Sequence, residues 1–158
     1  MRLSDLLRPK AVLLGIEDSD KWHVIERLTD HLVSGSGLDA GHRDAVLDAL
    51  LARERSMSTG MENGVAIPHC SMEVVEDTLV SLGVARAGID FESIDGRPTH
   101  LILLLVTPKN KTKVHIRTLA EIAKLLNDES FRNDLIAAET PETILELIRK
   151  REAVEGAA

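Results

Sequence analysis

The stretch "HLILLLV", His100 to Val106, decides the fold. From Leu101 to Val106 no polar residue interrupts it. A strand with one wet face alternates apolar and polar residues, whereas an unbroken run marks a central strand covered on both faces. "DGRP" (95–98) is a turn before it, and Pro108 ends it. Working outward, "TLVSLGVARA" (78–87) mixes alternation with β-branched residues and reads as a second strand. "AVLLGI" (11–16) is a short, branched, apolar run and reads as a buried strand. "VAI" (65–67) is a short strand that delivers Pro68 and His69.

Helical spacing fills the intervals. Asp18 or Ser19 is the expected cap of a helix with Trp22, Ile25, Leu28 and Leu32 on one face, ended by "SGSG" (34–37). Asp39 caps a second helix that runs to about Glu54, with Val46, Ala49 and Leu50 as its apolar face and Arg53 at its end. Thr112 is the expected cap of a helix striped by His115, Leu119, Ile122 and Leu126. Another helix covers about 129–138. The last opens at Thr140-Pro141-Glu142, where cap, proline and acid are consistent start signals. The tail "REAVEGAA" (151–158) reads as frayed. Alternating strands and helices around an apolar strand predict a layered α/β fold in one domain.

Composition narrows the function. The net charge is −7, no Lys/Arg block resembles a nucleic-acid footprint, and aromatics are only 2% of residues, too few for base stacking. An anionic chain disfavours anionic membrane surfaces, and the longest apolar run is far too short to span a bilayer. With one cysteine, Cys70, there is neither an internal disulfide nor a Cys-rich zinc site. "MRLSDLLRPK" lacks the features of a signal peptide. The expectation is a soluble, cytoplasmic protein.

Three residues stand out. His69 follows a buried strand, where side chains emerge onto a rigid rim, and Pro68 restricts its exit direction. The preceding loop carries Ser58, Thr59, Gly60, Asn63 and Gly64, whose hydroxyl, amide and backbone N–H groups suit an anion. His115 falls in the first turn of its helix, where the dipole disfavours a cationic ring. Arg53 offers a fork that matches phosphoryl oxygens. A nucleophilic imidazole, a neutral imidazole donor and an arginine would together make a phosphoryl site if the fold gathers them. Taken singly, His69 reads equally well as a turn histidine, His115 as a half-buried helix-start residue, and Arg53 as a solvated helix end. His69, Cys70 and His115 could also be read as zinc ligands, though their spacing matches no known metal pattern. No P-loop, nucleophile elbow or H-E-x-x-H motif is present.

The segment "STGMENGVAIPHC" resembles the active-histidine segment of phosphotransferase-system enzyme IIA domains of the fructose/mannitol type. "LLARERSMSTG" resembles their arginine-bearing segment, and "NKTKVHIRTLAEIAKLL" their second-histidine helix. The likeness runs over about residues 1–150, and the "STG" loop is most similar to the nitrogen-regulatory branch. It implies a three-layer α/β sandwich around a mixed, mostly parallel five-stranded sheet. It implies that His69 is the phosphorylated histidine, with His115 and Arg53 in support. It implies a phosphohistidine donor of the HPr type, delivery to a IIB domain or to a regulatory kinase or transporter, and no metal or organic cofactor. Two positions depart from the family pattern. Glu62 stands where a small residue is usual, which matters if that position needs a positive φ, and Cys70 stands where Gly is commoner.

Two readings of function follow. One is a phosphoryl carrier. The other is a binding module that regulates a partner, with phosphate as a switch of surface charge, and the lack of a fused IIB or IIC segment favours it. The cytosolic domain of an anion transporter resembles the same fold and is set aside for want of a membrane segment.

Overall fold

The computed structural model describes residues 2–18 and 20–157. Among them the elements are α1 (Leu3–Leu6), β1 (Val12–Leu13), α2 (Lys21–Gly35), α3 (Arg43–Ser56), β2 (Val65–Ala66), β3 (His69–Met72), β4 (Leu79–Ile89), β5 (Thr99–Pro108), α4 (Thr112–Leu125), α5 (Glu129–Ala137) and α6 (Pro141–Ala157). The sheet runs β1-β4-β5-β2, and β3 also pairs with β5. β1 is parallel to β4, β2 and β3 are parallel to β5, and β4 is antiparallel to β5. The five-stranded sheet is therefore mixed and mostly parallel.

The unbroken apolar run of β5 serves two cores by alternation. Leu101, Leu103 and Leu105 pack with Ile122 and Leu125 of α4, Phe131 and Leu135 of α5, and Ile144 and Ile148 of α6. Ile102, Leu104 and Val106 pack on the other side with Ile25, Leu28 and Leu32 of α2 and Val46, Leu47 and Leu50 of α3. Side chains of a strand point alternately to the two faces, so one sequence run faces both helical layers of a three-layer sandwich.

Several local expectations change. The first strand is only Val12–Leu13, because a 3-10 turn over Pro9–Ala11 precedes it. Asp20 caps α2 by accepting the His23 N–H at 3.0 Å; Asp18 instead pairs with Arg27, and Ser19 lies outside the described residues. Trp22 is solvent-exposed, and Val24 takes its place in the core beside Ile25. α4 starts one residue early: Lys111 is its cap and Thr112 its first residue, without a side-chain capping bond. Asp39 caps a 3-10 turn over Ala40–His42 that leads into α3. The tail expected to fray continues α6 through Ala157. Arg151 pairs there with Asp128 at 2.7 Å and with Glu155 at 3.3 Å, while Glu152 accepts from Ser4.

Candidate active site

Pro68 does not end the strand it follows. β2 and β3 form one interrupted edge strand along β5, with Val65 opposite Leu101 and His69 opposite Leu105. Proline lacks an N–H, so it is tolerated at an edge. Its carbonyl still accepts the Leu105 N–H at 3.0 Å. The register decides which way the histidine faces. Paired residues of neighbouring strands share a face, and Leu105 belongs to the core beneath α4. His69 therefore projects toward α4. Cys70, opposite Val106, packs with the other core.

On α4, His115 meets it. The two ring centroids are 5.4 Å apart, with the planes tilted by 46°. The His69 ring is held from below. Its Nδ1 lies 2.6 Å from the Ile67 carbonyl oxygen. A carbonyl only accepts, so Nδ1 carries a proton, and in the neutral ring Nε2 keeps its lone pair. The ring of His115 is poised differently. Its Nδ1 is buried with no hydrogen-bond partner. Burial, and secondarily the charge of a protonated His69, push its pKa below the ordinary histidine value. Burial thus favours the neutral form of His115.

Arg53 sits in the last turn of α3, which packs against β3. Its Nη1 donates to the Met57 carbonyl at 2.8 Å, the carbonyl four residues on. His69 and His115 are thus in direct proximity, and Arg53 is contributed by the helix on the sheet's opposite face.

The loop from Ser58 to Gly64 is built from its own polar groups. Ser58 Oγ donates to the Phe91 carbonyl and accepts the Gly60 N–H at 3.1 Å. Thr59 is buried, and both its N–H and its hydroxyl donate to Glu54. A Cβ on Gly60 would lie 2.7 Å from Ser93 Oγ and 2.8 Å from the Phe91 carbonyl, so only glycine fits there. The Asn63 N–H goes to Asp95 at 3.0 Å, and the Gly64 carbonyl accepts from His100 and Leu101. These five residues were expected to face an anion. In this structure their hydroxyls and most of the named N–H groups instead tie the loop to its neighbours. The left-handed positions are Asn63 (φ 64°) and Gly64 (φ 77°), so Glu62 imposes no backbone strain.

Sequence reasoning missed the buried pair Lys21–Glu54, 3.1 Å apart and 3% and 2% exposed. A lysine one residue past a cap and a glutamate among charged neighbours carry no signal of burial. Three of the other four histidines bond locally: His23 on Asp20, His31 on the Arg27 carbonyl, His100 on the Ala85 carbonyl. Cys70 is a poor zinc ligand, since it packs on the face away from His69 and burial pushes its thiol to about 12. Among the described residues, no group of three or more His, Cys, Asp or Glu could hold a metal, and no helix is long and apolar enough to cross a membrane.

Comparison with known proteins agrees with this architecture. The family model "Phosphoenolpyruvate-dependent sugar phosphotransferase system, EIIA 2" matches residues 5–151. The chain is 39% identical over 161 residues to the nitrogen regulatory protein of Escherichia coli, covering all of this chain and 96% of that one. It is 31% identical over 152 residues to the fructose-specific EIIABC component of Bacillus subtilis, covering 96% of this chain but only 24% of that longer protein. The crystal structure of nitrogen regulatory protein IIA-Ntr from Neisseria meningitidis superposes with a TM-score of 0.83 at 28% identity, over 92% of this chain and 98% of that one. An edge-strand histidine, a facing helical histidine and a match across almost the whole chain lead to one assignment: the chain belongs to the EIIA 2 family of the phosphoenolpyruvate-dependent sugar phosphotransferase system.

Proposed function

We propose that the protein accepts a phosphoryl group on His69 Nε2 from a phosphohistidine carrier of the HPr type, and that the phosphorylated form acts as a nitrogen-regulatory switch. The observation that carries this is the hydrogen bond from His69 Nδ1 to the Ile67 carbonyl. It leaves a lone pair on the outer nitrogen of a half-buried ring on a rigid strand.

The transfer balances simply. The Nε2 lone pair forms a new N–P bond as the donor's P–N bond breaks, and the donor departs as an imidazole. Phosphoryl transfer asks for in-line placement and stabilisation of the equatorial oxygens more than for proton chemistry. His115 supports that role because its neutral ring, with Nδ1 buried and unpartnered, is best protonated on Nε2 and can donate there to a phosphoryl oxygen. Arg53 would turn from the Met57 carbonyl to a second oxygen, a stronger, charge-assisted contact. The loop 58–64 supports the site by holding the backbone before His69.

A protein donor fits the rim. Met57, Val114 and Ile116 are 69%, 40% and 62% exposed and neighbour Arg53 and His115 in sequence. Exposed apolar residues beside the site residues suit a docking partner. Phosphorylation adds nearly two negative charges to this rim, which is enough to change which partner docks. A regulatory protein, such as a kinase or transporter, is the proposed partner class, and the nitrogen-regulatory name of the relatives supports a regulatory role. A second reading, transfer to a separate IIB domain in sugar uptake, is favoured by the fructose-specific relative.

The test is intact-mass analysis after mixing with phosphorylated HPr-type carrier. One added phosphoryl group, lost in acid and absent from His69→Ala, is expected. An unmodified wild type, or a modified His69→Ala, rejects the assignment. Pull-downs with wild type, His69→Ala and His69→Glu separate the two readings, since partners that bind all three equally exclude a phosphate-dependent switch.

A further inference from the structure

We infer that Glu54, neutralised by Lys21, is a positioning residue for the phosphoryl acceptor, acting through the Thr59 and Ile67 peptides on the His69 ring. The inference rests on the reading of His69 as acceptor and extends it to two residues that never touch the reacting atoms.

The path is a continuous run of bonds. Lys21 Nζ lies 3.1 Å from Glu54 Oε2. The same carboxylate accepts the Thr59 N–H at 2.8 Å and the Thr59 hydroxyl. The Thr59 carbonyl accepts the Ile67 N–H at 3.1 Å. The Ile67 carbonyl accepts from His69 Nδ1 at 2.6 Å. Each bond in such a series polarises the next, and buried chains of this kind hold their members to one geometry.

The chemistry at the start of the path is unusual enough to need a reason. Replacing a buried ion pair with apolar residues is often neutral or stabilising, so burial of Lys21 and Glu54 is not explained by stability alone. The Glu54 carboxylate accepts from Lys21 Nζ and from both donors of Thr59, and the two bonds from Thr59 fix that peptide plane. The next turn of loop is clamped independently, by Ser58 on the Phe91 carbonyl and by Gly60 against Ser93. Thr59 is thus the point at which the loop joins the helical layer of α2 and α3. Glu54 also directly follows Arg53 in the last turn of α3, so one anchor sets the base of both the arginine and the acceptor strand.

The test reads the ring itself. Two-bond 1H–15N correlation spectra of the His69 imidazole are recorded on the full chain, alongside the rate of phosphoryl uptake from phosphorylated carrier. Wild type is expected to carry its proton on Nδ1. Glu54→Ala is expected to populate both tautomers and to slow uptake by about tenfold or more, the scale on which small misplacements of reacting groups act. Glu54→Gln in a Lys21→Met background keeps an acceptor for Thr59 without a buried charge, and is expected to restore both the tautomer and most of the rate. A Glu54→Ala protein with a lower Tm but an unchanged tautomer and rate overturns the inference. If Glu54→Ala does not fold, Thr59→Val, which removes only the hydroxyl bond, decides in the same way: a shifted tautomer supports the path and an unshifted one rejects it. Failure of the wild type to take up phosphate rejects His69 as acceptor, while the tautomer shift still decides the link from Glu54 to the ring.

Discussion

The ring centroids of His69 and His115 stand 5.4 Å apart with their planes tilted by 46°, close enough for one phosphoryl group to lie within reach of both. One ring is tethered through Nδ1 to the Ile67 carbonyl, and the other has a buried Nδ1 with no partner. The pair is therefore asymmetric, and three substitutions at the site should differ in kind. His69→Ala is expected to abolish phosphoryl uptake. Arg53→Ala is expected to slow it about a hundredfold, the usual cost of removing a charge-stabilising donor. His115→Ala removes one neutral hydrogen bond, about 1.4 kcal/mol or tenfold. Rapid-quench uptake from phosphorylated carrier measures all three, and equal losses for Arg53→Ala and His115→Ala would contradict the proposed roles.

The depressed pKa of His115 gives a pH dependence with a definite sign. Burial, then the charge of His69, disfavour its protonation in the folded state. Between the folded value and the ordinary one of about 6.5, the unfolded chain binds more protons, so stability rises with pH across that window and is lost as pH falls through it. His23 works the other way, because Asp20 raises its pKa, but it is common to both proteins in a difference measurement. Urea denaturation from pH 7.5 down to 5 should show a steeper acid-side loss for wild type than for His115→Asn (~2.5 units bracket an ordinary histidine). Parallel curves would count against a neutral buried His115.

Gly60→Ala tests the clamp on the loop. The new Cβ would stand 2.7 Å from Ser93 Oγ and 2.8 Å from the Phe91 carbonyl, and the second of these is backbone that cannot swing away. A loss of about 1–3 kcal/mol is expected, as for other overpacked positions, and is read by thermal denaturation.

A contrasting pair separates core from rim. Leu104 is fully buried, and Leu104→Ala is expected to cost about 2–5 kcal/mol. Ile116 is 62% exposed, and Ile116→Ser should change stability by no more than about 0.5 kcal/mol while raising the KM for the carrier. An unchanged KM would remove Ile116 from the docking surface.

Much of this was legible because the signals are local. The unbroken run at 101–106 declared a two-sided strand, and β5 serves both cores. Thr140-Pro141 declared the start of α6, where the Thr143 N–H donates to Thr140 Oγ1 at 3.1 Å. What escaped depends on contacts remote in sequence. The strand reads as ending at Ile67, yet beyond Pro68 a second strand pairs with β5 from His69 to Met72. Thr59 read as a donor to an anion, yet Glu54 claims both its donors. Trp22 read as core, yet the helix is rotated so that Val24 is buried and the Lys21 ammonium lies over the indole at 4.9 Å. The tail read as free, yet Arg151 finds Asp128.

The alternation of β5 has a consequence for when the protein becomes competent. His115 rides on α4 in one helical layer, Arg53 on α3 in the other, and His69 on the edge strand between them. A nascent chain that has consolidated only one layer can furnish one of the two proposed supporting groups but not both. On the proposed roles, competence then arrives with the last layer to close, and a count of phosphorylated molecules would be a census of finished ones.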